Sequence, residues 1–159
     1  MNPKTQELLD RTFWFGIRVL KFLRTLPDDY ISRIPKGQEG RACLSIGANY
    51  EESQGAISKR EFSNKIVICY REARESVYFL KVLKELFSEE KYQKDFTEII
   101  IEGTEIKKIF ASIDIIQIKM LFNYSSLRGC FTRSNLIYRI EIASPQSGLA
   151  MTYKKNINS

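Results

Sequence analysis

The chain contains no histidine among its 159 residues. Histidine is the commonest general base in enzymes, the commonest zinc ligand and the usual activator of a serine or cysteine nucleophile. Its absence removes these routes to catalysis. Catalysis by carboxylates alone stays open, but no pattern in the sequence indicates it. We therefore expect a protein that is not an enzyme, with no catalytic residues, no cofactor and no metal site.

Cysteine is scarce as well. The three cysteines, Cys43, Cys69 and Cys130, are an odd number at wide spacings, which fits neither a disulfide framework nor a zinc-binding motif. Cys69 falls on an apolar helical stripe, where a free cysteine behaves as a small buried hydrophobic residue. We expect this thiol to be structural rather than reactive.

Long apolar runs are missing too. The chain has no apolar stretch of about 18 residues or more, the length that a membrane-spanning helix requires. Its amino-terminal segment carries acids early and lacks the apolar core and small-residue cleavage site of a secretory signal. The sequence therefore predicts a cytoplasmic protein with no membrane partner.

What the sequence does contain is apolar residues at steps of three and four, which is the spacing of helices that bury one face. The pattern predicts an all-α protein, an antiparallel up-and-down four-helix bundle formed by residues 1–122. The predicted helices cover about residues 5–26, 41–55, 58–87 and 96–122, with a turn-rich connection at 27–40. Small residues of the second helix, Gly47 and Ala48 among them, permit close helix packing, and Ser58 with Glu61 forms a capping box at the start of the third. The third helix has an apolar stripe of Phe62, Ile66, Cys69, Ala73, Val77, Leu80, Leu83 and Phe87, and the fourth has a seam of Ile99, Ile106, Ile109, Ile113, Ile116 and Met120. The pattern stops after residue 122, so residues 123–159 are predicted to be a poorly ordered, irregular C-terminal tail.

Two of the predicted helices carry more than one apolar stripe. We assign Leu9, Phe13, Ile17, Leu20 and Leu23 of the first helix to the bundle core. A second set on the first and third helices would then be exposed, and monomers rarely tolerate so large an apolar patch. We therefore expect self-association, unless a loop or the tail covers these residues. The predicted interface consists of Phe15, Val19, Phe22, Ile68, Phe79, Val82 and Leu86.

Basic residues are grouped on the third predicted helix. Arg60, Arg71, Arg74 and Lys81 lie within about a quarter of its circumference, with Tyr78 among them. Such a stripe could face phosphates and offer an aromatic ring for stacking. The alternative is a solvated face with weak local ion pairs such as Arg71–Glu75. We name the four basic residues as candidate nucleic-acid contacts, with two weaker candidates, Arg41 and Lys65.

A family resemblance adds to this interpretation. The motif Ser45-Ile46-Gly47-Ala48-Asn49 is followed by Glu52, by Ser58 with Phe62 and Lys65, and by Glu72-Ala73-Arg74-Glu75 with Tyr78 and Leu80. In this order the motifs resemble the 23S rRNA intervening-sequence family, and the likeness covers about residues 5–119. One departure concerns Glu39-Gly40, where the family usually has two leucines, so the second helix is expected to begin late.

The resemblance implies a four-helix bundle that assembles as a ring-like homo-oligomer, a pentamer. A related branch, the accessory proteins of diversity-generating retroelements, binds nucleic acid and a reverse transcriptase. We therefore expect a non-enzymatic homo-oligomer that binds RNA or DNA, with a reverse transcriptase or another element-encoded protein as a further partner. The alternative is a protein–protein interaction scaffold with no role in nucleic-acid binding.

Overall fold

Each of the first three helices begins at a side chain that accepts a hydrogen bond from the free backbone N–H groups of the first turn. The Asn2 side chain accepts from the amide of Lys4, and Pro3 follows it. Asp29 accepts from two amides and forms a capping box with Ser32. Ser58 accepts from the amide of Glu61 at 3.1 Å, as the sequence predicted.

The computed structural model describes residues 2–125, and describes side chains as far as residue 113. Its four helices are α1 (Pro3–Leu23), α2 (Tyr30–Gln54), α3 (Lys59–Leu86) and α4 (Glu90–Ser125). Consecutive helices pack side by side, and α1 closes the bundle against α4. This confirms the antiparallel four-helix bundle, and the described residues contain no strand.

The start of α2 corrects the sequence prediction. Residues 27–40 were expected to be a turn-rich connection, with a helix from about residue 41, but α2 already begins at Tyr30. Pro35 lies inside the helix, although proline removes a backbone donor and usually kinks or ends a helix. The Asp29 capping box and the burial of Ser32 and Glu39 between helices hold this segment in helical form. Packing therefore overrides local propensity here.

A lysine of α2 forms hydrogen bonds to the connection between α1 and α2. Lys36 donates from Nζ to the backbone carbonyl of Pro27 at 3.0 Å, and it also reaches the carbonyl of Leu26. These carbonyl groups follow the end of α1, where the helix leaves acceptors without intrahelical partners. A cation at this position also suits the negative end of the α1 dipole, so the turn that joins the two helices is fixed.

The core is formed by the predicted stripe of α3 and its neighbours. Seven of the eight residues of that stripe are buried, and Phe62 is half-buried. The seam predicted on α4 is confirmed at Ile99 and Ile106, whereas its last two members, Ile116 and Met120, lie outside the described side chains. The largest fully buried apolar side chains are Phe96, Phe110, Ile46, Ile66, Leu80, Leu83, Ile99 and Ile106.

The orientation of α1 is a second correction. Phe15, Val19 and Phe22, which were predicted to form an oligomer interface, are buried in the core of the single chain. The Phe22 ring packs edge-on against Phe96 of α4, with 4.7 Å between ring centroids. Phe15 lies against Gly103, where an added Cβ would stand 3.1 Å from the Phe15 ring. These three residues are therefore unavailable to a second chain.

The fourth helix is longer than predicted at both ends. It begins at Glu90 rather than near residue 96, and its described part continues through Ser125. The remainder of the predicted tail, residues 126–159, lies outside the described residues. Among the described residues, no helix is long and apolar enough to cross a membrane.

Candidate nucleic-acid interface

The outer surface of α3 carries a row of basic side chains around a tyrosine. Arg71, Arg74, Tyr78 and Lys81 follow one another at steps of three, four and three, which places them along one side of a helix. All four are exposed. The sequence prediction that these residues share a face is thus reproduced by the uninterrupted helix from Lys59 to Leu86.

A shallow hollow lies in the middle of this row. Its volume is about 410 Å³, and it is lined by Arg71, Arg74, Glu75, Tyr78 and Phe79. The Tyr78 ring is 61% exposed, and it packs edge-on against Phe79 with 5.1 Å between ring centroids. The guanidinium of Arg74 lies 5.8 Å from the centre of the Tyr70 ring. We call this arrangement the α3 hollow.

The arginines of the α3 hollow differ from those of α1 in their partners. Arg11 donates two hydrogen bonds to the Glu102 carboxylate of α4, and Arg18 pairs with Glu98. Within the described part of the chain, neither Arg71 nor Arg74 forms an ion pair with a carboxylate. The predicted alternative, an Arg71–Glu75 pair, is therefore not formed. The charge of the two arginines is left available to an anion.

A lysine of α4 joins this surface, and the sequence did not point to it. The pKa of Lys107 lies below its usual value because of burial, with further lowering by the positive charges of Lys81, Arg74 and Lys108. Such mutual repulsion arises where cations are crowded with too few anions. Only the register of α4 against α3 reveals this neighbour. The cationic surface therefore spans two helices.

The other predicted contacts lie elsewhere. Arg60 is exposed near the start of α3, 11 residues before Arg71, a distance of about 16 Å along the helix. Lys65 forms an ion pair with Glu52 of α2. Arg41 lies on α2 and donates to the side chain of Gln38. The structure thus brings together Arg71, Arg74 and Lys81, and places Arg60, Lys65 and Arg41 apart from them.

The predicted interface residues on α3 have a different environment from those on α1. Ile68, Phe79 and Val82 are half-buried, and Leu86 is 47% exposed. These four side chains retain some surface beside the α3 hollow. They form a narrow strip rather than the large apolar patch that the sequence suggested.

A larger apolar surface lies between α1 and α2. Phe13 and Trp14 are 58% and 62% exposed, and their rings meet edge-on with 5.3 Å between centroids. Beside them runs a groove of about 340 Å³. Its floor is narrow because Gly16 and Gly47 let the two helices approach closely. A Cβ atom added at either glycine would lie 3.5–3.7 Å from the backbone of the opposite helix. We call this surface the α1–α2 groove; its lining is Leu9, Thr12, Phe13, Gly16, Ile17, Cys43, Leu44, Gly47, Ala48 and Glu51.

The sequence contained part of the signal for this groove. Gly47 and Ala48 indicated close helix packing, and Phe13 with Ile17 formed one of the two apolar stripes of α1. Of the stripe that was predicted to face the core, Leu9 and Leu23 are buried, Ile17 and Leu20 are half-buried, and Phe13 is exposed. Two apolar stripes on one helix satisfy the same periodicity, so the sequence alone does not distinguish the buried stripe from the exposed one.

One acidic side chain is buried between α2 and α3. Glu39 is fully buried, and its Oε1 accepts a hydrogen bond from the Ser76 hydroxyl at 2.7 Å. Its other oxygen, Oε2, has no partner among the described residues. Burial raises the pKa of Glu39 to about 8, against a lowering by Ser76, and the charge of Glu75 raises it further. The carboxyl group is therefore mostly protonated at neutral pH.

The described cysteines provide no reactive centre. Cys43 and Cys69 are both buried, which confirms the structural role expected for Cys69. Burial raises the pKa of each thiol to about 12, so neither forms a thiolate at neutral pH. Cys130 lies outside the described residues. No group of three or more acidic or sulfur side chains able to hold a metal occurs in the described part of the chain.

Comparison with known proteins identifies a relative that matches two thirds of this chain. A crystal structure from Bacteroides thetaiotaomicron, of a protein with unknown function from the S23 ribosomal protein family, is 30% identical in sequence. It superposes with a TM-score of 0.59, over 67% of this chain and 97% of the relative. The chain belongs to the S23 ribosomal protein family.

Two further comparisons give no match. No family model matches the sequence, and no curated protein matches it. The S23 relative carries no assigned function. Any function for this member of the S23 family must therefore be argued from its own surfaces.

Proposed function

We propose that this protein is a non-enzymatic, self-associating bundle that binds nucleic acid through the outer surface of α3. The observation that carries the proposal is the contrast between its arginines. Arg11 and Arg18 are neutralised by carboxylates of α4, whereas Arg71 and Arg74 stand without such partners beside Lys81 and Lys107. Unpaired cations grouped around an exposed aromatic ring suit a polymer with a regular negative charge.

Self-association is supported by the α1–α2 groove. Phe13, Trp14 and Leu44 expose large apolar side chains on adjacent helices, and burying each one contributes roughly 1.5–3 kcal/mol. Two of the basic side chains that flank Trp14 on α1, Arg11 and Arg18, are already paired within the chain, and Lys21 is exposed beside them. A second copy of the same chain is the occupant that matches such a surface. A ring of copies would repeat the α3 hollow around one axis, and the positive electrostatic potentials of the copies would add.

The finer family assignment also belongs to this proposal. The motifs from Ser45 to Leu80 resemble proteins of the 23S rRNA intervening-sequence family, which implies a pentamer and relates the chain to accessory proteins of retroelements. On this basis the expected ligands are RNA or DNA, with a reverse transcriptase or another element-encoded protein as a further partner. The absence of catalytic residues is part of the same proposal, since the chain has no histidine and its described thiols are buried.

A salt titration of binding tests the nucleic-acid role. The protein is titrated into fluorescein-labelled RNA and DNA, and anisotropy is measured across a range of salt concentrations. Binding through several phosphates weakens steeply as salt rises. The double substitution Arg71→Gln and Arg74→Gln removes two contacts, and the slope of log K against log salt should fall by about 1.4–1.8.

A matched control distinguishes binding at the α3 surface from a general effect of the protein's net charge. Arg24→Gln with Arg33→Gln removes the same two charges from the end of α1 and the start of α2, and it should leave the slope unchanged. Equal losses in both double variants would mean that binding follows net charge rather than the α3 surface. No binding of RNA or DNA at micromolar protein and low salt would reject the nucleic-acid role, and would favour the protein–protein scaffold.

A further inference from the structure

The ring at the centre of the cationic row is placed for a contact that phosphates do not make. Tyr78 is 61% exposed, with Arg71 and Arg74 before it and Lys81 after it on the same side of α3. Phe79 supports it edge-on, with an angle of 72° between the two rings. An aromatic ring held this way offers a flat surface on which a base can stack.

The hollow beside this ring suits an uncharged group better than a phosphate. It is a shallow depression of about 410 Å³ that is open to solvent. One of its walls is Glu75, an exposed carboxylate that would repel a phosphate at short range. The same carboxylate can accept a hydrogen bond from an amino group on the edge of a base. The charges thus place phosphates on the rim and a base within.

The rim provides cations on both sides of the ring. Arg71 and Arg74 precede Tyr78 on α3 and Lys81 follows it, and Lys107 of α4 lies close enough to both Lys81 and Arg74 for their charges to lower its pKa. Arg74 and Lys81 are seven residues apart, or about 10 Å along the helix. A nucleic-acid strand that crosses the hollow can therefore meet cations before and after the base that it places on Tyr78.

We propose that the α3 hollow binds single-stranded nucleic acid by stacking one unpaired base on Tyr78 between flanking phosphates held by Arg71, Arg74, Lys81 and Lys107. This rests on the proposed function and narrows it to a class of ligand. In a duplex the faces of each base are covered by neighbouring base pairs, so Tyr78 has nothing to stack on. The duplex keeps only the phosphate contacts.

The test compares three labelled polymers of about 16 nucleotides, the upper range of single-strand site sizes: a mixed-sequence single strand, its blunt duplex, and a single strand of abasic units. Anisotropy titrations at one low salt concentration give three dissociation constants. The single strand should bind about five- to 150-fold more tightly than the abasic strand, because stacking on one ring is worth that much. It should also bind more tightly than the duplex.

Substitutions at the ring assign the difference to Tyr78. Tyr78→Ala should weaken binding of the single strand about five- to 150-fold and leave binding of the abasic strand and the duplex unchanged. Tyr78→Phe keeps the ring and should retain the affinity. Tyr30→Ala, at an exposed tyrosine of α2, is the matched control and should have no effect.

The outcomes separate the two proposals. If no polymer binds, the nucleic-acid role and this inference both fail. If the single strand, the abasic strand and the duplex bind equally and all depend on Arg71 and Arg74, the phosphate-binding surface stands and base stacking is rejected. A Tyr78→Ala variant that binds the single strand like the unaltered protein also rejects stacking.

Discussion

The two pairs of consecutive helices in this bundle expose surfaces of different chemistry. Between α1 and α2 the exposed side chains are apolar, with Phe13 and Trp14 at the edge of a groove. On α3, extended by Lys107 of α4, the exposed side chains are cations around a tyrosine. Both surfaces rest on the same core, and each helix contributes residues to that core.

The difference shows how one small bundle can provide two interaction surfaces that suit partners of different chemistry. Two cations beside the apolar face are neutralised within the chain, Arg11 by Glu102 and Arg18 by Glu98. The cations of the α3 hollow have no such partner in the described residues. Under the proposed function, a charged polymer would bind at α3 and an apolar partner at the α1–α2 groove.

The strongest test of this contrast uses two phenylalanines of α1. Phe15→Ala empties a buried position against Gly103 and Val77, and should lower the free energy of unfolding by about 3–5 kcal/mol. Phe13→Ala changes an exposed position and should cost a single chain less than about 0.5 kcal/mol. Urea denaturation followed by circular dichroism measures both.

The same pair also tests self-association. If Phe13 is buried between copies, the cost of Phe13→Ala should grow with protein concentration, because assembly stabilises the folded state by mass action. Sedimentation should show a smaller assembly for Phe13→Ala than for the unaltered protein. Ile57→Ala, at a 96% exposed residue between α2 and α3, is the control for an exposed apolar side chain. A well-folded single chain at tens of micromolar protein would contradict the assembly.

A second test addresses Glu39, which is buried where α2 packs against α3, between the two surfaces. Glu39 has a pKa near 8 in the folded chain, above the ordinary value of a glutamate, which is about 4.3. The folded state therefore holds a proton that the unfolded state releases. The contribution of the protonated Glu39 to the free energy of unfolding is fully present below about pH 4.3. This contribution is lost as the pH rises towards 8. Glu39→Gln should remove this dependence and make the chain more stable at pH 8 than the unaltered protein.

The measurement is a series of urea titrations between pH 5 and pH 9. Glu85→Gln, at an exposed glutamate of α3, is the control and should leave the pH dependence in place. If the unaltered protein keeps constant stability over this range, Glu39 is not protonated in the fold.

The sequence was sufficient for the elements whose signals are local. The capping box at Ser58 and the apolar stripe from Ile66 to Phe87 predicted α3 and its buried face. The steps between Arg71, Arg74 and Lys81 were likewise enough to place them on one side, because all three belong to one straight helix. Such patterns depend only on the period of the helix.

What the sequence missed depends on contacts between helices. The first turns of α2 contain Pro35 and two glycines, so local propensity favoured a connection, but packing of Ser32 and Glu39 makes the segment helical. On α1 the sequence placed Leu9 and Leu23 correctly in the core but exchanged the environments of Phe13 and Phe15, because both apolar stripes have the same period. Lys107 was missed because its place beside Lys81 follows from the register of α4 against α3, which no local pattern encodes.

Lys107 gives the test with the smallest expected effect, and it decides whether the cationic surface extends from α3 to α4. If Lys107 contacts one phosphate, Lys107→Gln should lower the salt slope of single-strand binding by about 0.7. Lys108→Gln changes the next residue, which is paired with Glu105 at 2.8 Å, and should leave the slope nearly unchanged. A fall of equal size in both variants would indicate a general effect of charge on α4. No fall in either would confine the surface to α3, because a cation that meets no phosphate releases no counterion when the polymer binds.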